Sequence, residues 1–266
     1  MRKRRTKKPL VSILIPNYNY ETTIRDTIES ALAQTYENIE IIVLDNHSTD
    51  HSFEIAKKYR KRGVRVYQMP FNIGVSSHNL LIKLARGKYI HVLHSDDMVL
   101  PEFIEKCVTL MEKNHRVGFT VTERLEINEK GELLETAPPF YNTSCIVPAE
   151  SQKCVILMAS YYIPSQTVYR RSVIERTGLY EVTITNFMDW WMLYKCSCIS
   201  DMGVINEKLC RYRIWPGSET SYMVKHMYMP IQGYLNRVTM LRQAELDHDR
   251  RMLERADAAV EKQADL

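Results

Sequence analysis

Ser95-Asp96-Asp97 closes a short apolar run, Tyr89 to Leu93, so two adjacent carboxylates stand at the end of a β-rich stretch. A buried strand ending this way presents its acidic residues at the carboxyl edge of an open α/β sheet, where such sheets bind ligands. Two carboxylates there attract a cation; equally, they open a turn and cap the helix that follows Pro101. A third carboxylate, Asp189, heads the apolar stretch Asn186-Phe187-Met188-Asp189-Trp190-Trp191-Met192-Leu193-Tyr194. A helix N-terminus favours a negative charge there.

These groups require a scaffold, and the hydrophobic pattern supplies one. Val11 to Pro16, Ile39 to Leu44, Val64 to Gln68 and Tyr89 to Leu93 read as strands. Between them, Glu21 to Thr35, the stretch after Ser48-Thr49-Asp50 as far as Arg60, and Ser76 to Ala85 read as helices. Strands alternating with helices at short intervals imply a mostly parallel, doubly wound α/β sheet. Further on, Pro101 to Lys113 predicts a helix, and Gly118 to Leu125 with Glu132 to Leu134 a hairpin around Asn128 to Gly131. Thr136 to Pro148 predicts an irregular segment, Glu150 to Ser160 a helix, and Gln166 to Tyr169 and Leu209 to Ile214 strands.

The chain has 266 residues, 45% of them hydrophobic, enough for a sizeable core. Its formal charge of +4 is local: Arg2, Lys3, Arg4, Arg5, Lys7 and Lys8 outweigh it, leaving the remainder slightly acidic. That tail suits an anionic surface or plain solvation, and with no accompanying motif it does not predict nucleic-acid binding. No apolar h-region follows it, and no apolar run approaches the about 18 residues that cross a bilayer. A cytoplasmic protein is expected, with peripheral membrane contact through the tail or the C-terminal helix left as an open alternative. The six cysteines lack paired Cys-x-x-Cys spacing, which favours ordinary thiols in a reducing compartment over zinc.

Polar residues follow each of the first four strands: Asn17-Tyr18-Asn19, Asp45-Asn46, Asn72-Ile73-Gly74 and Ser95-Asp96-Asp97. All should line one edge. Asp45 can accept from the N3–H of a uracil and Tyr18 can stack on a ring; singly, Asp45 is also a turn former and Tyr18 a half-buried aromatic. Neither Gly-x-Gly-x-x-Gly nor Gly-x-x-x-x-Gly-Lys-Ser/Thr occurs, so a diphosphate would need another countercharge. A divalent ion on Asp97 supplies one.

Val11 to Asn19, Ile41 to Asp50, Asn72 to Asn79 and Ala85 to Ile90 resemble the successive blocks of family 2 glycosyltransferases, and Ser95-Asp96-Asp97 resembles their DXD-type motif. The resemblance implies a GT-A fold and inverting transfer from a nucleotide-activated sugar, most simply a UDP-sugar, to a carbohydrate or lipid-linked acceptor in polysaccharide, glycoprotein or glycolipid synthesis. It implies that Pro16, Tyr18, Asp45, Asn72, Gly74, His78 and Asp96 bind the nucleotide. By the same resemblance Asp97, with Asp96 at the ribose or the metal, ligates Mn²⁺ or Mg²⁺, and Asp189 is the base. Arg211, Arg213, Ser218 and Trp190 are implied diphosphate or acceptor contacts. The domain limits that follow are a tail over 1–9, a catalytic domain over 10–220 with its nucleotide half at 10–100 and its acceptor half at 101–220, and a helical extension over 221–266.

The chain departs from the family pattern at His94, often Asp; at His78, often Arg; at Met188, often acidic; and at Trp215, often His. These departures support the alternative of a non-catalytic nucleotide-sugar-binding or scaffold protein. In the extension, Met227, Ile231, Tyr234, Leu235, Val238 and Leu241 recur at helical spacing, which suits packing on the domain, pairing with a second copy, or a membrane surface, in that order.

Overall fold

The computed structural model describes residues 8–135, 138–159, 161–183, 187–226 and 228–254. In chain order its elements are β1 (Val11–Asn17), α1 (Ile24–Leu32), β2 (Ile39–Asp45), α2 (Ser52–Lys57), β3 (Arg65–Gln68), α3 (Ser76–Leu84), β4 (Tyr89–Val92) and β5 (Met98–Val99). They continue as α4 (Phe103–Lys113), β6 (Val117–Ile127), β7 (Cys145–Val147), α5 (Ala149–Met158), β8 (Thr167–Arg170), α6 (Arg171–Thr177), α7 (Met188–Ile199), β9 (Asp201–Arg213), α8 (Glu219–Lys225) and α9 (Tyr228–Leu246). The basic residues at 2–7 lie outside the described residues, as do 255–266 of the expected extension.

Among the described residues the strands form one nine-stranded sheet in the order β3-β2-β1-β4-β8-β6-β9-β5, with β7 on β9. The first four strands are parallel, as the alternation of strands and helices predicts, so their polar ends emerge at one edge. The second half departs from that pattern. β8 runs antiparallel to β4 and β6, whereas β6 and β9 are parallel to each other. The expected hairpin at 118–134 survives as a turn, with a bridge from Ile127 to Leu133 and Gly131 at a φ of 85°. β6 takes its main partners elsewhere.

Period-two alternation divides the core between the faces of the sheet. Val11, Ile13 and Ile15 point to one side, where α1 and α4 bring Ile24, Ile28, Phe103 and Cys107. Leu14, Ile42, Ile90 and Val92 point to the other, against Leu81, Trp191, Met192 and Leu193. At the amino edge, Ser12 donates to Glu40 at 2.7 Å and accepts from the Gly87 N–H at 2.8 Å. A Cβ on Gly87 would lie 2.6 Å from the Ser12 nitrogen, so this close approach into β4 admits glycine alone.

The C-terminal helix corrects the sequence pattern. α9 buries Asn236, Met240 and Ala244, and the Tyr194 hydroxyl donates to the Met240 carbonyl at 3.2 Å. Tyr234, Leu235 and Val238, expected on its apolar face, are exposed. Met227 lies outside the described residues. No helix among the described residues is long and apolar enough to cross a membrane.

Candidate active site

The acidic pair stands just past β4, and both carboxylates are buried, Asp97 completely. Three elements hold it. From α1, the Thr27 hydroxyl donates to the Asp97 carbonyl at 2.8 Å, and Thr23, just before that helix, donates to the Ser95 carbonyl at 2.8 Å. β1 accepts from Ser95 through the Pro16 carbonyl at 2.8 Å. From the end of β9, the Arg213 N–H donates to Asp97 Oδ1 at 3.1 Å, its Nε to the Asp96 carbonyl at 3.0 Å, and Trp215 Nε1 to Asp96 Oδ2 at 3.1 Å.

Asp97 Oδ2 is buried with no hydrogen bond of normal geometry among the described residues, the Ser165 hydroxyl being the polar side chain beside the carboxyl. Burial and the neighbouring Asp96 push the Asp97 carboxyl well above the usual carboxylate range, with the Ser165 hydroxyl and the Arg213 N–H acting the other way. An orphaned buried carboxylate oxygen beside a second carboxylate fits a hard divalent cation. Among the described residues no three His, Cys, Asp or Glu side chains converge to hold a metal, so a cation here has two protein carboxylates and must complete its shell from a ligand or water.

A second cluster faces the first across the end of β4. His78, on α3, and His94 meet edge to face with ring centroids 6.0 Å apart, and His78 meets Tyr180 at 5.7 Å. The Nε2 atoms of both histidines are buried without a partner among the described residues. Burial, with His94 alongside, pushes His78 down to about 3, so its ring is neutral. Asp189 opens α7 and accepts from the Trp190 N–H at 2.9 Å. Burial raises its pKa, while that N–H and the nearby His94 act against the rise. Asn79 exchanges two hydrogen bonds with the Tyr180 backbone, at 2.8 and 2.9 Å, which fixes the 178–180 turn on α3 and brings the two halves of the chain together.

A third cluster joins the ends of β1, β2 and β3. The Asp45 carboxylate accepts from Asn17 at 2.7 Å, from the Ser48 N–H at 3.0 Å, from the Ser48 hydroxyl and from Gln68 at 3.2 Å. Asn46 donates to Asn72 at 2.7 Å, and Asn72 accepts from the Gly74 N–H at 2.7 Å, with Gly74 at a φ of 55°. Tyr18 is 42% exposed beside them.

Three residues expected to contact the diphosphate or the acceptor are engaged within the protein instead. The Arg213 guanidinium is buried and donates to the carbonyls of Asp96, Asn128 and Glu129 and to Asp26, so it ties the 128–131 turn to the acidic pair and has no fork free for a phosphate. Ser218 caps α8 by accepting from the Ser221 N–H at 3.1 Å. Trp190 is buried in the core, its Nε1 donating to the Ile156 carbonyl at 2.5 Å, and cannot stack on an acceptor sugar. Arg211 is half-buried, and its Nε has no partner among the described residues. The sequence reading missed Tyr20, whose ring meets Trp215 at 6.0 Å and whose hydroxyl is pushed up by burial and by Asp96, and Ser165, which accepts from the His94 N–H at 3.1 Å. Neither lies in a block that signals chemistry.

Comparisons with known proteins give the family and the fold. The model of the family described as Glycosyl transferase family 2 matches residues 12–178. The chain is 31% identical over 211 residues to an uncharacterized glycosyltransferase of Rickettsia felis, covering 79% of this chain and 34% of that protein. It is 31% identical over 217 residues to a chondroitin synthase of Escherichia coli, covering 80% and 30%. The chain thus spans about a third of the length of these curated relatives. Among solved structures it is similar to S. aureus TarS 1–349 in complex with UDP-GlcNAc, with a TM-score of 0.65, 20% identity, and coverage of 79% of this chain and 60% of that one.

Proposed function

The chain belongs to glycosyl transferase family 2, with the GT-A fold, and on that premise we propose that it transfers a sugar from a UDP-sugar to a hydroxyl acceptor with inversion at the anomeric carbon. The observation that carries this reading is the acidic pair at the end of β4, with Asp97 Oδ2 unpartnered among the described residues and Asp189 opening α7 near His94. The uridine assignment draws support from the UDP-GlcNAc bound by TarS. On this reading Tyr18 stacks on the base, and a uracil N3–H takes the place of Gln68 or Ser48 on Asp45. Asn72 and Gly74 hold the neighbouring loop, and His78 offers a neutral nitrogen in the wall of the cleft.

Asp189 accepts the proton of the acceptor hydroxyl as that oxygen bonds to the anomeric carbon and the bond to the diphosphate oxygen breaks on the opposite face. Mn²⁺ or Mg²⁺ held by Asp97 and Asp96 would neutralise charge on the departing diphosphate. The acceptor is a carbohydrate or a lipid-linked sugar. The reading is tested by UDP release from UDP-sugars with Mn²⁺ over a panel of acceptors. Absence of turnover in the wild type, with UDP still bound, would favour a binding protein that has kept the fold.

A further inference from the structure

Trp215 is half-buried at the mouth of the site, three contacts fix it there, and the transfer chemistry above gives it no part. Its Nε1 donates to Asp96 Oδ2 at 3.1 Å. Its ring meets the edge of Tyr20 at a centroid distance of 6.0 Å. Its backbone carbonyl accepts from the Ser221 hydroxyl at 2.8 Å and from the Ser218 N–H at 3.2 Å, so the start of α8 is folded back onto it. Gly217 completes the arrangement: a Cβ there would lie 2.3 Å from the Trp215 ring.

An indole N–H is a donor with no lone pair to offer, so Trp215 can orient a carboxylate but cannot ligate a cation. Together with the Arg213 N–H on Asp97 Oδ1, it engages one oxygen of each carboxylate from the β9 side. Asp97 Oδ2 is then the oxygen left buried and without a partner among the described residues. A carboxylate that keeps its second oxygen hydrogen-bonded is held in one rotamer, and hydrogen bonds of this kind tune metal affinity strongly.

We propose that Trp215 is the positioning residue of the cation site: its indole N–H fixes Asp96 so that this carboxylate and Asp97 accept a divalent cation together with the nucleotide diphosphate. The inference rests on the cation reading of the acidic pair. Because the residue supplies orientation and no ligand, and no third acidic or imidazole side chain converges among the described residues, the pair takes up the cation as its complex with the nucleotide.

The test is isothermal titration of UDP into the folded chain with and without MnCl₂, for the wild type and for Trp215→Phe, which keeps the ring and removes the donor. Free Mn²⁺ is followed in parallel by electron paramagnetic resonance. The wild type is expected to bind UDP more tightly with Mn²⁺ and to deplete free Mn²⁺ only when UDP is present. Trp215→Phe is expected to keep its metal-free UDP affinity and to lose about ten-fold or more of the Mn²⁺-dependent affinity. Gly217→Ala, which keeps the indole and displaces its ring, is the second variant, with the same loss expected. An unchanged Mn²⁺ effect in the folded variants overturns the role of Trp215, as does a loss of UDP affinity that is equal with and without Mn²⁺. A wild type indifferent to Mn²⁺ overturns instead the cation reading on which the role depends.

Discussion

The backbone N–H of Arg213 donates to Asp97 Oδ1 at 3.1 Å, so the last residue of β9 holds a carboxylate 116 positions earlier in the chain. The same residue sends its guanidinium to the carbonyls of Asp96, Asn128 and Glu129. The acidic pair is therefore tied to the end of β9 and to the 128–131 turn, with one Asp97 oxygen unbonded among the described residues.

Arg213→Lys should cost stability and activity together. A lysine offers one ammonium in place of a planar fork and leaves buried carbonyls unpaired, at about 1–3 kcal/mol each. Urea denaturation should show a lower midpoint with an unchanged slope. A variant as stable as the wild type would mean that the fork is not structural.

Asp97→Asn should abolish transfer and, without metal, raise the melting temperature. Folding raises the pKa of Asp97, so the folded state binds that proton more tightly than the unfolded one. The stabilising effect of the proton is complete below the unfolded pKa, near the usual carboxylate range, and is lost as pH rises through the folded pKa. At neutral pH the ionised group is therefore a burden that asparagine removes, at about 2–4 °C for each kcal/mol. Scanning calorimetry across pH, with wild type and variant compared, reads the difference.

Asp189→Asn should lower kcat by about 10²–10⁴-fold with the fold intact. Burial raises the Asp189 pKa, and a base must be unprotonated to work, so the acid limb of the wild-type pH–rate profile should lie above the ordinary carboxylate range. A profile flat down to that range would remove Asp189 from the role.

Trp190→Ala should destabilise by about 3–5 kcal/mol, as for a large aromatic truncated in a core, and should leave the acceptor KM unchanged in protein that remains folded. The side chain is buried, bonded to the Ile156 carbonyl and covered by the Arg237 guanidinium 5.6 Å from its ring. A KM effect without loss of stability would return Trp190 to the acceptor site.

The first four strands, their order of polar ends and the acidic pair were legible in the residues because each is a local pattern: alternation over a few residues, then an abrupt Asn, Asp or Gly. Asp45, Asp96 and Asp97 stand out in this way, whereas Asp189, at the head of an apolar helix, is singled out by the resemblance of its block to the family. The interior pairing of β9 was not legible. Only Leu209 to Ile214 read as a strand, whereas the structure extends it from Asp201 to Arg213, and its partners β6, β5 and β7 lie far off in sequence. Long-range pairing leaves no periodic mark on either partner.

By itself, then, the sequence determined the parallel first half of the sheet and which carboxylates stand at its edge, because side-chain alternation and helical spacing are written residue by residue. Only the tertiary structure decided which neighbouring groups those carboxylates meet. It turned Arg213 and Trp190 inward, turned the Tyr234, Leu235 and Val238 stripe outward, and set the Trp215 indole on Asp96. The physical reason is that a polar or aromatic side chain has the same composition whether it faces a ligand, a backbone carbonyl or solvent. Burial and the partners brought by distant strands settle which of these it meets.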